Sequence, residues 1–247
     1  MPGILPRGKG TRMRLDKYIS DAMQLSRADA RHLIARGGVV CNGQPLRKAD
    51  AQVQETDRIE AGGQLLSRQE FVYIMLHKPE GVVSASTDKR DKTVVDLVGG
   101  AFPRRTLFPA GRLDKTSTGF VLLTDDGAFA HDLLAPKRHV EKEYLVTLDT
   151  PLTDEMRRGF SEGVTLADGS RMAPALAEPA GDDPCRVRVV LTQGVYHQIK
   201  RMFGVYGAGV NALHRVRMGS VPLDDALQPG EWRELTADEV RRLRCRE

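Results

Sequence analysis

A chain of 247 residues with 40% hydrophobic and 28% charged residues has room for two folded domains and does not have the composition of a disordered protein. No run of about 18 apolar residues occurs, which excludes a membrane-spanning helix, and MPGILPRGKGTR lacks the apolar stretch of a secretory signal. Three cysteines (Cys41, Cys185 and Cys245), odd in number and far apart, fit neither a disulfide framework nor a zinc cluster and predict a reducing, cytoplasmic location.

Residues 1–12 read as a flexible basic tail. Ten Lys/Arg against three acids give residues 1–48 a charge of +7, so with +4 overall the remainder carries −3. Charge gathered at one end suits contact with a polyanion, although a solvated basic face has the same composition. From Arg14 to about Leu66 the pattern predicts a compact α/β unit. Leu15, Tyr18, Ile19 and Ala22 recur at helical spacing. Ser26 is a candidate N-cap for a second helix that stops at Gly37-Gly38, with Arg27, Arg31 and, less closely, Arg36 on its outer face. VVCNG predicts a strand and an Asn42-Gly43 turn, with a partner strand near DRIEAGG.

The polar stretch around Ser67-Arg68-Gln69 predicts a linker over 67–70. Beyond it FVYIMLHKP, FVLLT (120–124), EYLVTLD, CRVRVVLT and ALHRVRMGSV read as strands. AFAHDLLA reads as a helix stopped by Pro136, and VYHQIKRMFGVYG as another. TADEVRRLR carries a capping box, Thr236 with Glu239. Strands with interleaved helices at mixed spacing predict an α+β domain built on one large mixed sheet.

Two segments could carry chemistry. AGRLDKTSTG places Asp114 between Arg112 and Lys115, just before a buried strand, where flanking cations favour the ionised carboxylate. A single ionised acid suits nucleophilic or general-base work better than paired acid/base catalysis, although such a loop can also be simply a surface turn. GVYHQIKRMF gathers His197, Gln198, Lys200 and Arg201 within about one helical turn, next to Tyr196. That mixture suits phosphate contact and base stacking, and a solvated helix face is the plainer alternative. The lone His197 lacks a second ligand at metal-binding spacing.

GRLDKTSTGFVLLTDDG resembles the signature of pseudouridine synthases, in the branch that modifies ribosomal RNA with an appended S4-like domain. FVYIMLHKPEGVVSAS, EKEYLVTLD and GVYHQIKRMF resemble further segments of that family, and RLDKYISDAMQLSRADARHLIARGGVVCNGQ is similar to the S4 module. The five segments stand in the family's order and span roughly 13 to 240. The resemblance implies an S4-like domain over 13–66 and a catalytic domain over 71–247, whose large mixed, mostly antiparallel sheet is flanked by helices. It implies isomerisation of uridine without cofactor or metal. Asp114 would be the essential carboxylate, Lys200 its basic partner and Tyr144 the ring stacked on the target base. Arg112, His197, Gln198 and Arg201 would contact RNA near the site, and Arg14, Lys17, Arg27, Arg31 and Arg36 would meet phosphates in the N-terminal module. One departure stands out, since family members often carry an acid where this chain has Thr116.

The implied partner is ribosomal RNA, with 16S favoured by the segments from Tyr196 to Asp224 and from Pro229 to Glu239, free or in a 30S assembly intermediate, bound by a monomer. The alternatives are the same reaction on 23S rRNA, a non-catalytic rRNA-binding or assembly protein, and, as a third class, a nucleoside hydrolase.

Overall fold

The computed structural model describes residues 12–23, 25–54, 56–66, 71–135, 138 and 140–244. The expected tail over 1–11, the 67–70 linker, the Pro136 helix stop and Cys245 lie outside them. Two compact units divide the chain near residue 70.

In the first unit β1 (Met13–Arg14) leads straight into α1 (Leu15–Ala22), and α2 is Arg27–Ala35. The Ser26 side chain accepts from the Asp29 N–H at 2.9 Å, so the expected N-cap forms, and the helix ends before Gly37 at φ +79°. Four strands follow, β2 (Val39–Cys41), β3 (Gln44–Pro45), β4 (Gln52–Val53) and β5 (Ile59–Ala61), and then β6 (Gln64–Leu66). Asn42 and Gly43 both adopt left-handed backbone, the geometry of a tight hairpin turn, which folds β2 onto the very short β3. The partner expected near DRIEAGG is β5, antiparallel on the other edge of β2. Leu15, Ile19, Ala30, Ile34, Val39, Val53 and Ile59 form the core. Of the residues expected at helical spacing, Leu15, Tyr18 and Ile19 are buried in it and Ala22 packs against it partly buried.

The second unit is built on a nine-stranded sheet. Its elements are β7 (Tyr73–Lys78), β8 (Phe108–Ala110), β9 (Thr118–Thr124), α3 (Gly127–Leu134), β10 (Lys142–Leu148), α4 (Asp154–Glu162), β11 (Leu176–Pro179), β12 (Arg186–Leu191), α5 (Gln198–Gly204), β13 (Val210–Met218), β14 (Val221–Pro222), β15 (Trp232–Glu234) and α6 (Ala237–Arg244). The strand order is β11-β12-β10-β13-β9-β7-β15, with β8 on β9 and β14 on β13. The β13–β9 pair is parallel and the other pairs are antiparallel, so the sheet is mixed and mostly antiparallel as expected. In β9 six of seven residues are buried, which explains why its sequence is apolar without alternation. Phe120, Leu122, Phe129, Leu133, Met218 and Leu243 join sheet, α3 and α6 in one core. The capping box closes as written, Thr236 Oγ1 accepting from the Glu239 N–H at 3.2 Å and Glu239 accepting from the Thr236 N–H at 2.8 Å.

Elements absent from the sequence reading are short or amphipathic. β8, β11 and β15 have only three or four residues, and α4 is a mostly polar helix whose buried side is Met156 and Phe160.

Candidate active site

The loop between β8 and β9 carries Asp114. Gly111 opens it at φ +95°, and the Ser117 N–H donates to the Asp114 carbonyl at 3.0 Å, closing a tight turn. Ser84 grips the residue before it, donating to the Leu113 carbonyl at 2.8 Å and accepting the Leu113 N–H at 3.0 Å. Beneath the loop the fully buried Lys78 donates to the carbonyls of Pro79, Lys115 and Ser117 at 3.0, 3.4 and 2.6 Å. Burial pushes its pKa down to about 8, against the opposing pull of the Asp114 charge. The Asp114 carboxylate itself is 31% exposed. Its nearest partners among the described residues are His197 Nε2 at 3.4 Å and Lys200 Nζ at 4.0 Å.

Both side chains come from the start of α5. His197 is the N-cap residue, at φ +50° and ψ +31°, and makes no side-chain cap. Left-handed backbone is uncommon outside glycine, and here it aims the imidazole at Asp114 rather than at the helix end. Tyr196, 72% exposed, stacks on that imidazole with centroids 3.8 Å apart. Lys200 Nζ donates to Thr116 Oγ1 at 3.0 Å. The neutral Thr116 hydroxyl therefore holds Lys200 without competing for its charge.

The remaining expected residues divide. Tyr144 is buried on β10, paired with Arg215 of β13 and Val189 of β12. Arg112 is exposed and its side chain has no partner among the described residues. Gln198 is turned inward instead, donating to Gln193 Oε1 at 3.1 Å and accepting from the Val195 N–H at 3.2 Å. Arg201 is paired with Asp168. In the first unit Arg14, Arg27 and Arg31 all converge on Asp16, at 3.1, 2.7 and 3.0 Å, while Lys17 and Arg36 are exposed. Asp16 is fully buried, which by itself would raise its pKa, but the three arginine hydrogen bonds hold it well below the usual carboxylate range.

Sequence reasoning missed Lys78, Ser84 and Arg215. An arginine in a strand reads as a solvent-facing residue, yet Arg215 is 1% exposed. A signal was available in Gly119, since a glycine inside an apolar strand marks a close backbone approach. No group of three or more His, Cys, Asp or Glu at metal-binding spacing occurs among the described residues.

Residues 72–204, more than half of the chain, match the family model described as RNA pseudouridylate synthase. The chain belongs to that family. As an RNA pseudouridylate synthase it is an isomerase, and residues 13–59 match the S4 domain. It is 40% identical over 233 residues to an Aquifex aeolicus protein described as an uncharacterized RNA pseudouridine synthase, covering 94% of this chain and 96% of that one. It is 39% identical over 230 residues to the ribosomal small subunit pseudouridine synthase A of Escherichia coli (strain K12), covering 92% and 98%. A solved crystal structure of a pseudouridylate synthase superimposes with a TM-score of 0.66 at 37% identity, covering 94% of this chain and 99% of that one.

Proposed function

We propose that this synthase converts one uridine of 16S ribosomal RNA to pseudouridine, acting as a monomer on free rRNA or a 30S assembly intermediate, with Asp114 as the essential carboxylate. The observation that carries the chemistry is the state of Asp114. It is neither buried nor saturated with hydrogen bonds, and it faces the His197 imidazole and the Lys200 ammonium at 3.4 and 4.0 Å. Such a carboxylate keeps lone pairs for the reacting nucleoside. The reaction breaks the N-glycosidic bond, turns the base and rejoins it to the ribose through C5, so substrate and product are isomers and no redox partner enters the balance.

Tyr144 stacks on the target base and serves proton transfer at C5. Lys200, held by Thr116, is the ionic partner of Asp114. Chemistry at a uridine requires taking the base out of its stack, and the exposed Arg112 at the rim contacts the backbone of the extruded nucleotide. His197 and Arg201 contact RNA along the same edge, and the inward-facing Gln198 supports the segment that presents them.

Residues 13–66 act as the positioning domain and 71–247 as the catalytic one. Arg14, Arg27 and Arg31, with Lys17 and Arg36, meet phosphates, contacts that place an enzyme without reading sequence. The 16S assignment is supported by likeness to relatives named for the ribosomal small subunit, 39% identical in Escherichia coli and 38% in Yersinia pestis.

The test is carbodiimide-dependent reverse-transcription mapping of unmodified 16S and 23S transcripts, each treated with the wild-type chain or with Asp114→Asn. One new stop in 16S, absent with the variant, is the expected result. A stop confined to 23S moves the substrate, and silence on both transcripts and on 30S particles favours a non-catalytic rRNA-binding role.

A further inference from the structure

Arg215 heads the fully buried side chains by volume, and the chemistry above makes no use of it. Removing a guanidinium from water costs several kcal/mol unless its charge is answered, and an apolar side chain of equal volume would fill the space at less cost. Among the described residues no carboxylate answers it. Its partners are three backbone carbonyls and one aromatic ring. Nε donates to the Phe120 carbonyl at 2.7 Å, Nη2 to that of Gly111 at 3.0 Å, and Nη1 lies 3.5 Å from that of Arg112. Its Cζ sits 5.9 Å from the centre of the Tyr144 ring.

Those partners share one purpose. Gly111 and Arg112 lead into the Asp114 loop and Phe120 leads out of it, so the rigid guanidinium fork ties the two ends of the loop together. Its fourth neighbour, the Tyr144 ring, is the one expected to meet the base. The sheet is arranged to allow this. Lys78, Gly119, Arg215 and Tyr144 pair in turn across β7, β9, β13 and β10. Gly119 lies at φ +103°, and a Cβ there would fall 2.3 Å from the Arg215 carbonyl oxygen. Only glycine lets the two backbones close at that point.

We propose that Arg215 is a positioning residue. By holding both ends of the 111–120 loop and flanking Tyr144 with one guanidinium, it fixes the Asp114 carboxylate and the Tyr144 ring in a single geometry around the target uridine. The inference rests on the proposed uridine isomerisation and holds for either rRNA. A shift of about 1 Å in a reacting group can reduce a rate about 100-fold, the scale on which such a clamp acts.

The experiment compares wild type, Arg215→Met, Arg215→Lys and Arg215→Ala on the transcript that the wild type modifies, reading kcat and KM separately alongside Tm. Arg215→Met, which keeps the bulk and removes the donors, is expected to lower kcat about 100-fold while KM moves less than about twofold. Arg215→Lys is expected to recover about tenfold, because an ammonium can hold one end of the loop but does not span both. Guanidinium ion at sub-denaturing concentration is expected to restore part of the Arg215→Ala rate and to leave the wild type unchanged. A kcat within about threefold of wild type in folded Arg215→Met overturns the inference. So does a loss that follows the unfolded fraction and ignores guanidinium, or one confined to KM. If Arg215→Met does not fold, a folded Arg215→Lys with full kcat overturns it equally. A wild-type chain inactive on every RNA sinks the proposed reaction and this inference with it, an outcome read before any variant is made.

Discussion

Two aspartates, one in each unit, show how the same side chain is put to opposite uses. Asp16 in the first unit is fully buried and gripped by Arg14, Arg27 and Arg31 at 2.7 to 3.1 Å. Asp114 in the second is about one-third exposed and approached by His197 and Lys200 only at 3.4 and 4.0 Å. A saturated carboxylate organises its neighbours and has nothing left to give a substrate. An under-coordinated one adds little stability, and its lone pairs remain available. Lys78, Ser84 and Arg215 donate instead to the backbone around Asp114. Rigidity is supplied to the loop and withheld from the carboxylate proposed to react, the arrangement that preorganised catalysis needs.

Replacing each aspartate tests the contrast most sharply. Asp114→Asn should lower pseudouridine formation at least about 10⁴-fold with Tm nearly unchanged, read by carbodiimide mapping and thermal melting. A variant that unfolds, or that keeps its rate, would erase the distinction. Lys200→Met should reduce kcat about 100-fold, since the charge beside the proposed catalytic carboxylate is lost while the neighbouring His197 remains. An unchanged kcat would transfer the ionic role to His197.

Asp16→Asn should instead cost about 2–3 kcal/mol of stability, below the usual cost of breaking a fully buried pair because the three arginines keep contact with water. Equilibrium urea unfolding of the full chain checks this. The pH dependence has a definite sign. Because the folded-state pKa of Asp16 is depressed, its contribution is present above about pH 4 and is lost as the pH falls further, and the variant should flatten that acid limb. Lys78 has the same sign in an alkaline range, although there it is the neutral form that the fold favours. Its pKa falls to about 8 in the fold, so from about pH 8 to about 10.4 the unfolded chain binds more protons and stability rises with pH. Lys78→Met should reduce that alkaline slope. The smallest effect is expected from Arg36→Ala, which should weaken RNA binding a few-fold, lower the salt slope by about 1 and leave the modified position unchanged. Filter binding at several salt concentrations reads it.

Much of this was open to reading from the chain. The Ser26 cap, the Asn42-Gly43 turn, the Thr236–Glu239 box and the apolar run of β9 are local, set by residues within a few positions of one another, and each folds as its sequence implies. Asp114, Tyr144 and Lys200 were singled out for another reason: the segments that carry them resemble a known family. The short strands β8, β11 and β15 were not legible, because three or four residues give periodicity too little to act on.

What the sequence determined on its own was therefore the inventory: an α+β chain in two parts, a basic front, and one carboxylate set among cations. Tertiary structure alone decided how those groups are used. Whether an arginine meets phosphate, as proposed for Arg36, or turns inward to a buried carbonyl, as Arg215 does, depends on which strands lie beside it. That pairing joins residues 95 positions apart through Arg215 and Phe120, and 84 apart through Lys200 and Thr116. Hydrogen bonds of that reach depend on strand register and backbone approach, which the whole sheet must close to define.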